Sequence, residues 1–220
     1  NWPLVSQGYQ EPKKKWEYRL GHLLPVFPGL SSINHATAFF LNKGFYDGVL
    51  RAQVNPVRWA EFSVSAGVML WVICTLSGIV EIRTLVSIAM LNAALQYVGY
   101  LIEKARANNQ NTKELLLIGF SIHTAIWTQI FISFYTSVVG SGAPEAVYSI
   151  VVVMFALFTS FGLLSALWAK GTIKTFQMVE AGYILLSLIA KTLLTWMVYF
   201  GVLKAGSAPP PPPPPPPHPP

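Results

Sequence analysis

A single lysine lies near the middle of a long apolar run. The run is GYILLSLIAKTLLTW at 182–196, and the lysine is Lys191. A lysine at the centre of a membrane helix costs about 2.5–3.5 kcal/mol. Three arrangements relieve this cost: a carboxylate partner, loss of the proton, or conversion of the amine to a Schiff base. The first predicts a structural ion pair between helices and the last a functional lysine, and burial alone does not separate the two.

An opposite charge is available at Glu61, within NPVRWAEFSVSAGVMLW. It is the one acidic residue that we place inside an apolar span, so we expect it to pair with Lys191. Ser65 follows Glu61 by four residues and Ser187 precedes Lys191 by four. Residues four apart share one face of a helix, so both hydroxyls are predicted to hydrogen-bond around the two charges. For an isolated serine the alternative is a contact between packed helices.

Aromatic residues crowd the later spans, and most of them are typical of packing or of the membrane interface. Trp196 follows Lys191 by five residues, which we interpret as close enough to flank a long ligand attached to the lysine. Histidines lie at His35 and His123, where an imidazole can accept or relay a proton near neutral pH. Neither has a second histidine or a cysteine at the spacing of a metal site.

These residues must be positioned by membrane-spanning helices. The chain of 220 residues is 53% hydrophobic and 11% charged, whereas soluble domains carry about 25% charged residues. A span needs about 20 mostly apolar residues. Six segments are predicted to be spans, the first of them weakened by prolines and polar residues: 22–41, 57–82, 84–103, 115–139, 146–169 and 177–203.

The net charge of +6 does not indicate nucleic-acid binding, because the basic residues are scattered through the predicted loops. Eight of them, Arg58 included, fall in loops on one side of the bundle, which predicts that this side faces the cytoplasm or its organellar equivalent. One cysteine excludes an internal disulfide framework. No nucleophile elbow, phosphate-binding loop or dinucleotide fingerprint is present, so we do not predict an enzyme.

Two tails flank the predicted bundle of residues 22–204. Residues 1–21 are polar and basic, and residues 205–220 are rich in proline. Nine consecutive prolines begin at Pro209, and such a run forms a stiff polyproline II rod without backbone donors. We expect this tail to contact a partner protein.

Taken together, these segments resemble the heliorhodopsins, a family of retinal-binding membrane proteins. The resemblance covers about residues 30–204 and rests most specifically on the RWAE block at 58–61 and on ILLSLIAKTLLTW at 184–196. It implies an all-α membrane protein with a rhodopsin-like bundle. Six spans of the seven-helix pattern are visible, and the first helix of that pattern is not found in residues 1–21.

The resemblance also implies roles for single residues. Lys191 would carry all-trans retinal as a Schiff base, with Glu61 as its counterion. Ser187, Ser65 and His35 would lie near the Schiff base, and Trp127, Phe158 and Trp196 would contact the polyene. Members of the family are mostly photosensory and form dimers.

Two functions remain open from the sequence. The first is a light-responsive retinal protein that is sensory rather than pumping, in a plasma or organellar membrane. The second is a structural subunit derived from a heliorhodopsin within a larger membrane complex, with or without retinal. In that case Lys191 and Glu61 would be a residual ion pair.

Overall fold

A computed structural model describes residues 20–41, 43–141 and 143–204. Within these ranges the side chains of a few residues, His35 among them, are not described. The predicted tails, 1–21 and 205–220, fall almost entirely outside the described residues. The described part is helical, with seven α-helices: α1 (Val26–Leu41), α2 (Lys43–Ala52), α3 (Pro56–Leu76), α4 (Ile82–Ala107), α5 (Lys113–Ser137), α6 (Glu145–Ala169) and α7 (Phe176–Val198).

Five of these helices, α3 to α7, are long and apolar enough to cross a membrane, and they coincide with the five stronger predicted spans. The weak first span becomes α1, which begins after Pro25 and has only 16 residues. The helix α2, which has ten residues and charged side chains along it, is not predicted from the sequence. Its segment was interpreted as a loop because it is too short and too polar for a span.

The helix ends follow local chemistry. Asn55 caps α3 by accepting a hydrogen bond from the Arg58 amide at 3.1 Å, and Pro56 occupies the first helical position, where the missing amide hydrogen is not needed. Glu81 caps α4 by accepting hydrogen bonds from the amides of Arg83 and Thr84. The hydrogen bonds from Thr84 hold the pKa of the exposed Glu81 carboxyl below its usual value, as expected for an anion at a helix N-terminus.

Neighbouring helices pack side by side, α3 along α4, α4 along α5, α6 along α7, and α1 against α3. Between them lies an apolar core to which α3, α5, α6 and α7 all contribute. A second, smaller cluster of aromatic residues lies between α3, α6 and α7 and includes Trp59, Phe62 and Tyr183. These two clusters hold α3 and α7 in a fixed register, which places Glu61 opposite Lys191.

The approach of α3 to α4 depends on Gly99, because a methyl group added there would overlap the Trp59 ring. We expect Gly99→Ala to lower the stability of the bundle by about 1–3 kcal/mol, the usual cost of overpacking. Gly67 is the matched control, since its added methyl would meet only the Asn92 amide at 3.8 Å. Thermal unfolding of both variants in one detergent checks this, and an equal loss for both would contradict it.

Candidate functional site

The buried charges meet where α7, α3 and α1 come together. Lys191 Nζ lies 2.9 Å from Glu61 Oε1, and the two side chains are 7% and 10% exposed. Lys191 Nζ also donates a hydrogen bond to Ser31 Oγ, and Ser31 Oγ in turn donates to Glu61 Oε1 at 2.7 Å. The pairing that the apolar runs predicted is therefore present in the structure, with Ser31 as a third member.

The ammonium is also covered by a ring. Lys191 Nζ lies 5.3 Å from the centroid of Phe62, a distance at which a cation is attracted to an aromatic face. One turn of α3 separates Phe62 from Arg58, so the same helix brings a ring, a carboxylate and a guanidinium to this end of the bundle. Lys191 is thus satisfied by groups from two other helices.

The hydroxyl that hydrogen-bonds with Lys191 and Glu61 belongs to neither of the two predicted serines. Ser65 is fully buried, and its Oγ has no hydrogen-bond partner among the described residues. Ser187 is 5% exposed and lies beside Lys191 on the wall of a cavity. Ser31 takes the place that the sequence analysis gave to these serines. Sequence reasoning missed it because the four-residue spacing rule compares residues only within one helix.

An internal cavity adjoins the ion pair and is lined by α3, α4, α5, α6 and α7. Its atom-free volume is about 860 Å³, a figure that includes the open space at its mouth. Lys191, Ser187 and Ser65 lie at one part of its wall. The remaining wall is mostly apolar, with Phe62, Met69, Leu95, Phe120, Phe158 and Phe161 among its members.

The three aromatic residues that were predicted to contact the polyene, Trp127, Phe158 and Trp196, lie in different surroundings. Phe158 lines the cavity. Trp127 is 2% exposed and packs edge-to-face against Phe158, with ring centroids 5.7 Å apart, so it supports the wall without being part of it. Trp196 is 53% exposed and stacks on Phe200. The interpretation of Trp196 as a flanking residue is not supported by its position, because five residues turn a helix by about 500°, which leaves Trp196 about 140° from Lys191.

Both histidines fall on helices of the bundle. His35 lies in α1, but its side chain is outside the described residues. His123 lines the cavity, and its Nε2 is 3.1 Å from Thr159 Oγ1. Since the Thr159 hydroxyl donates to the Phe155 carbonyl at 2.8 Å, it accepts from the imidazole.

A second group of buried charges was missed by the sequence analysis. The Arg58 guanidinium pairs with both Glu103 of α4 and Glu180 of α7, and all three residues are at most 5% exposed. Arg58 was interpreted as a loop residue and Glu61 as the one acidic residue inside a span. Both interpretations are wrong. Arg58, Glu103 and Glu180 lie near helix ends, where sequence alone cannot distinguish a buried charge from a solvated one.

A bundle of membrane-spanning helices with a lysine–carboxylate pair beside an internal cavity defines an integral membrane protein of the rhodopsin type. Residues 3–203 match the family model for heliorhodopsin. The chain therefore belongs to the heliorhodopsins, a family of retinal-binding membrane proteins that act in light sensing or ion transport. No curated protein matches it.

Proposed function

We propose that the chain binds all-trans retinal as a Schiff base on Lys191, with Glu61 as counterion, and that it acts as a light sensor and not as a pump. The observation that carries this proposal is the place of Lys191, whose side chain forms part of the cavity wall while its Nζ contacts Glu61. When bound, retinal would supply light absorption and isomerisation, and the protein would supply attachment, orientation and charge.

The residues present fit this ligand. The cavity wall is largely apolar, as a polyene requires, and the unpartnered Ser65 hydroxyl is a polar group left for an occupant. Ser187 lies one turn before Lys191, and Phe158 provides a flat apolar surface. His35 keeps its proposed place near the Schiff base, since its backbone lies on the same helix as Ser31. Glu61 would hold the positive charge on the nitrogen, as it holds the ammonium now.

The deciding experiment adds all-trans retinal to the purified protein in lipid. We expect a visible absorbance band that hydroxylamine removes, since hydroxylamine cleaves a Schiff base. A slow return of the band after a flash, without net proton transport in vesicles, would support a sensor. The absence of any hydroxylamine-sensitive band would overturn the proposal.

Substitutions at two aromatic residues separate the cavity from the outer surface. We expect Phe158→Ala to shift the absorbance maximum or reduce retinal uptake, because Phe158 lines the cavity. Trp196→Ala should leave the spectrum unchanged, because Trp196 is directed outward. Absorbance spectra at equal protein concentration check this. A larger shift for Trp196→Ala than for Phe158→Ala would contradict the placement.

A second function, a structural subunit of a larger membrane complex, is favoured by one observation. Lys191 Nζ contacts Ser31, Glu61 and Phe62, which are the contacts that a residual ion pair between helices would make. In that case the proline-rich tail would contact a partner protein, and the chain would purify from its native membrane in a large assembly. A chain that purifies as a monomer or a homodimer and forms pigment would contradict this alternative.

A further inference from the structure

The cluster formed by Arg58, Glu103 and Glu180 holds two carboxylates for one guanidinium. If all three groups are ionised, the cluster carries a net charge of −1 in a site where each residue is at most 5% exposed. An uncompensated buried charge is costly, and the usual response of a protein is to neutralise it by binding a proton. The neighbouring Lys191–Glu61 pair is neutral as a whole and offers no spare positive charge.

Other charged or titratable groups near the cluster come from α2, α4 and α7. On α4, Lys104 is exposed, and Arg106 turns toward α6, where its Nε donates to the Trp168 carbonyl at 3.3 Å. From α7 comes Tyr183, whose ring lies 4.3 Å from the Arg58 guanidinium, and from α2 comes Tyr46. Among the described side chains, no second cation faces the two carboxylates.

The neutral hydrogen-bond donors are distributed unevenly between the Glu103 and Glu180 carboxylates. Glu103 Oε2 accepts from the Asn55 amide at 3.1 Å and from Trp59 Nε1 at 2.9 Å, and Glu103 Oε1 accepts from Arg58. Glu180 Oε2 accepts from Asn55 Nδ2 at 3.0 Å, and the Glu180 carboxylate forms an ion pair with Arg58. Since donors aimed at a carboxylate favour its ionised form, Glu103 is the better-stabilised anion of the two.

A pocket with several polar side chains in its wall, here called the polar pocket, adjoins the cluster. It lies between α1, α2, α3 and α7, and Arg58, Glu61, Glu180 and Ser187 contribute to its wall, whereas Glu103 does not. Glu61 follows Arg58 by one turn of α3, so this pocket connects the cluster with the Lys191–Glu61 pair. Its position at the first turns of α3 and α7 places it at the end of the bundle where the basic loops lie.

We propose that Arg58, Glu103 and Glu180 form a proton-binding site that exchanges one proton with the aqueous phase through this polar pocket. The two carboxylates are coupled through Arg58, and the proton binds and leaves at Glu180, the less well stabilised anion of the two. The site would therefore respond to the pH on the side of the basic loops, at a distance of one helical turn from Glu61. The proposal does not require retinal.

The test is infrared difference spectroscopy of the protein without retinal in lipid vesicles, between acidic and alkaline pH. We expect the carbonyl band of a protonated carboxyl group, corresponding to about one proton per chain, to disappear at alkaline pH. Glu180→Gln and Glu103→Gln should each abolish this titrating band, because the remaining carboxylate is then matched one-to-one by Arg58. Glu114→Gln, at an exposed position of α5, should retain it.

Glu180→Asp keeps a carboxyl group at this position and should therefore retain the titrating band. This variant distinguishes the loss of a carboxyl group from a general loss of folding. The proposal would be overturned if the wild-type band were absent at every pH, or if it persisted in both glutamine variants. Because the measurement uses protein without retinal, it can fail while pigment formation succeeds, and the reverse also holds.

Discussion

Replacing Lys191 with alanine is expected to abolish the hydroxylamine-sensitive visible absorbance completely. Lys191 lies in the cavity wall, and a Schiff base needs a primary amine. Absorbance after incubation with all-trans retinal measures the effect. Lys174→Ala is the matched control, because Lys174 is exposed in the loop before α7, and we expect it to form pigment to the wild-type extent.

A second measurement on the wild type guards against a variant that does not fold. Reduction of the pigment with borohydride fixes the retinyl group covalently, and the mass of the modified peptide identifies the lysine. We expect the peptide that contains Lys191. Pigment formation by Lys191→Ala, or a retinyl group on a different lysine, would contradict the assignment.

Glu61→Gln is expected to destabilise the protein without retinal by about 3–5 kcal/mol, the usual cost of leaving one member of a buried pair uncompensated. Lys191→Met should cost a similar amount, since it leaves the Glu61 carboxylate buried with the Ser31 hydroxyl as its one remaining donor among the described side chains. The double variant removes both charges and should recover most of the loss. Thermal unfolding of the four proteins in one detergent measures the coupling.

Additive losses in this double-mutant cycle would show that the two charges do not interact, despite the 2.9 Å between Lys191 Nζ and Glu61 Oε1. Glu114→Gln serves as a control for the change from carboxylate to amide, because Glu114 lies exposed in the first turn of α5. We expect it to change stability by less than about 0.5 kcal/mol.

The sequence predicts the ion pair well, because a lipid environment leaves few alternatives for Lys191. Once one charge is known to lie deep in an apolar run, the opposite charge in another run becomes its natural partner. The five long helices follow from the same property, since length and apolar content suffice to identify a span. The cavity does not follow, because its shape depends on how five helices pack against one another.

Each residue that was misplaced or missed from the sequence has its own physical reason. Trp196 was placed by its distance along the chain, whereas the direction of a side chain on a helix depends on the turn of about 100° per residue. Arg58, Glu103 and Glu180 lie within a few residues of helix ends, where a charge is equally compatible with solvent and with a buried network. Ser31 lies on α1, whose polar residues and prolines weakened the span signal.

Trp59 belongs to two parts of the molecule at once. One edge of its ring packs on Gly99 and borders the cavity, and its Nε1 donates to Glu103. A larger residue at position 99 would force a smaller one at 59, and that change would remove a donor from the Glu103 carboxylate. Positions 59, 99 and 103 are therefore expected to covary during evolution. A relative without glycine at 99 would also lack the tryptophan at 59. Its carboxylate at 103 would then have to be solvated or replaced by a neutral residue.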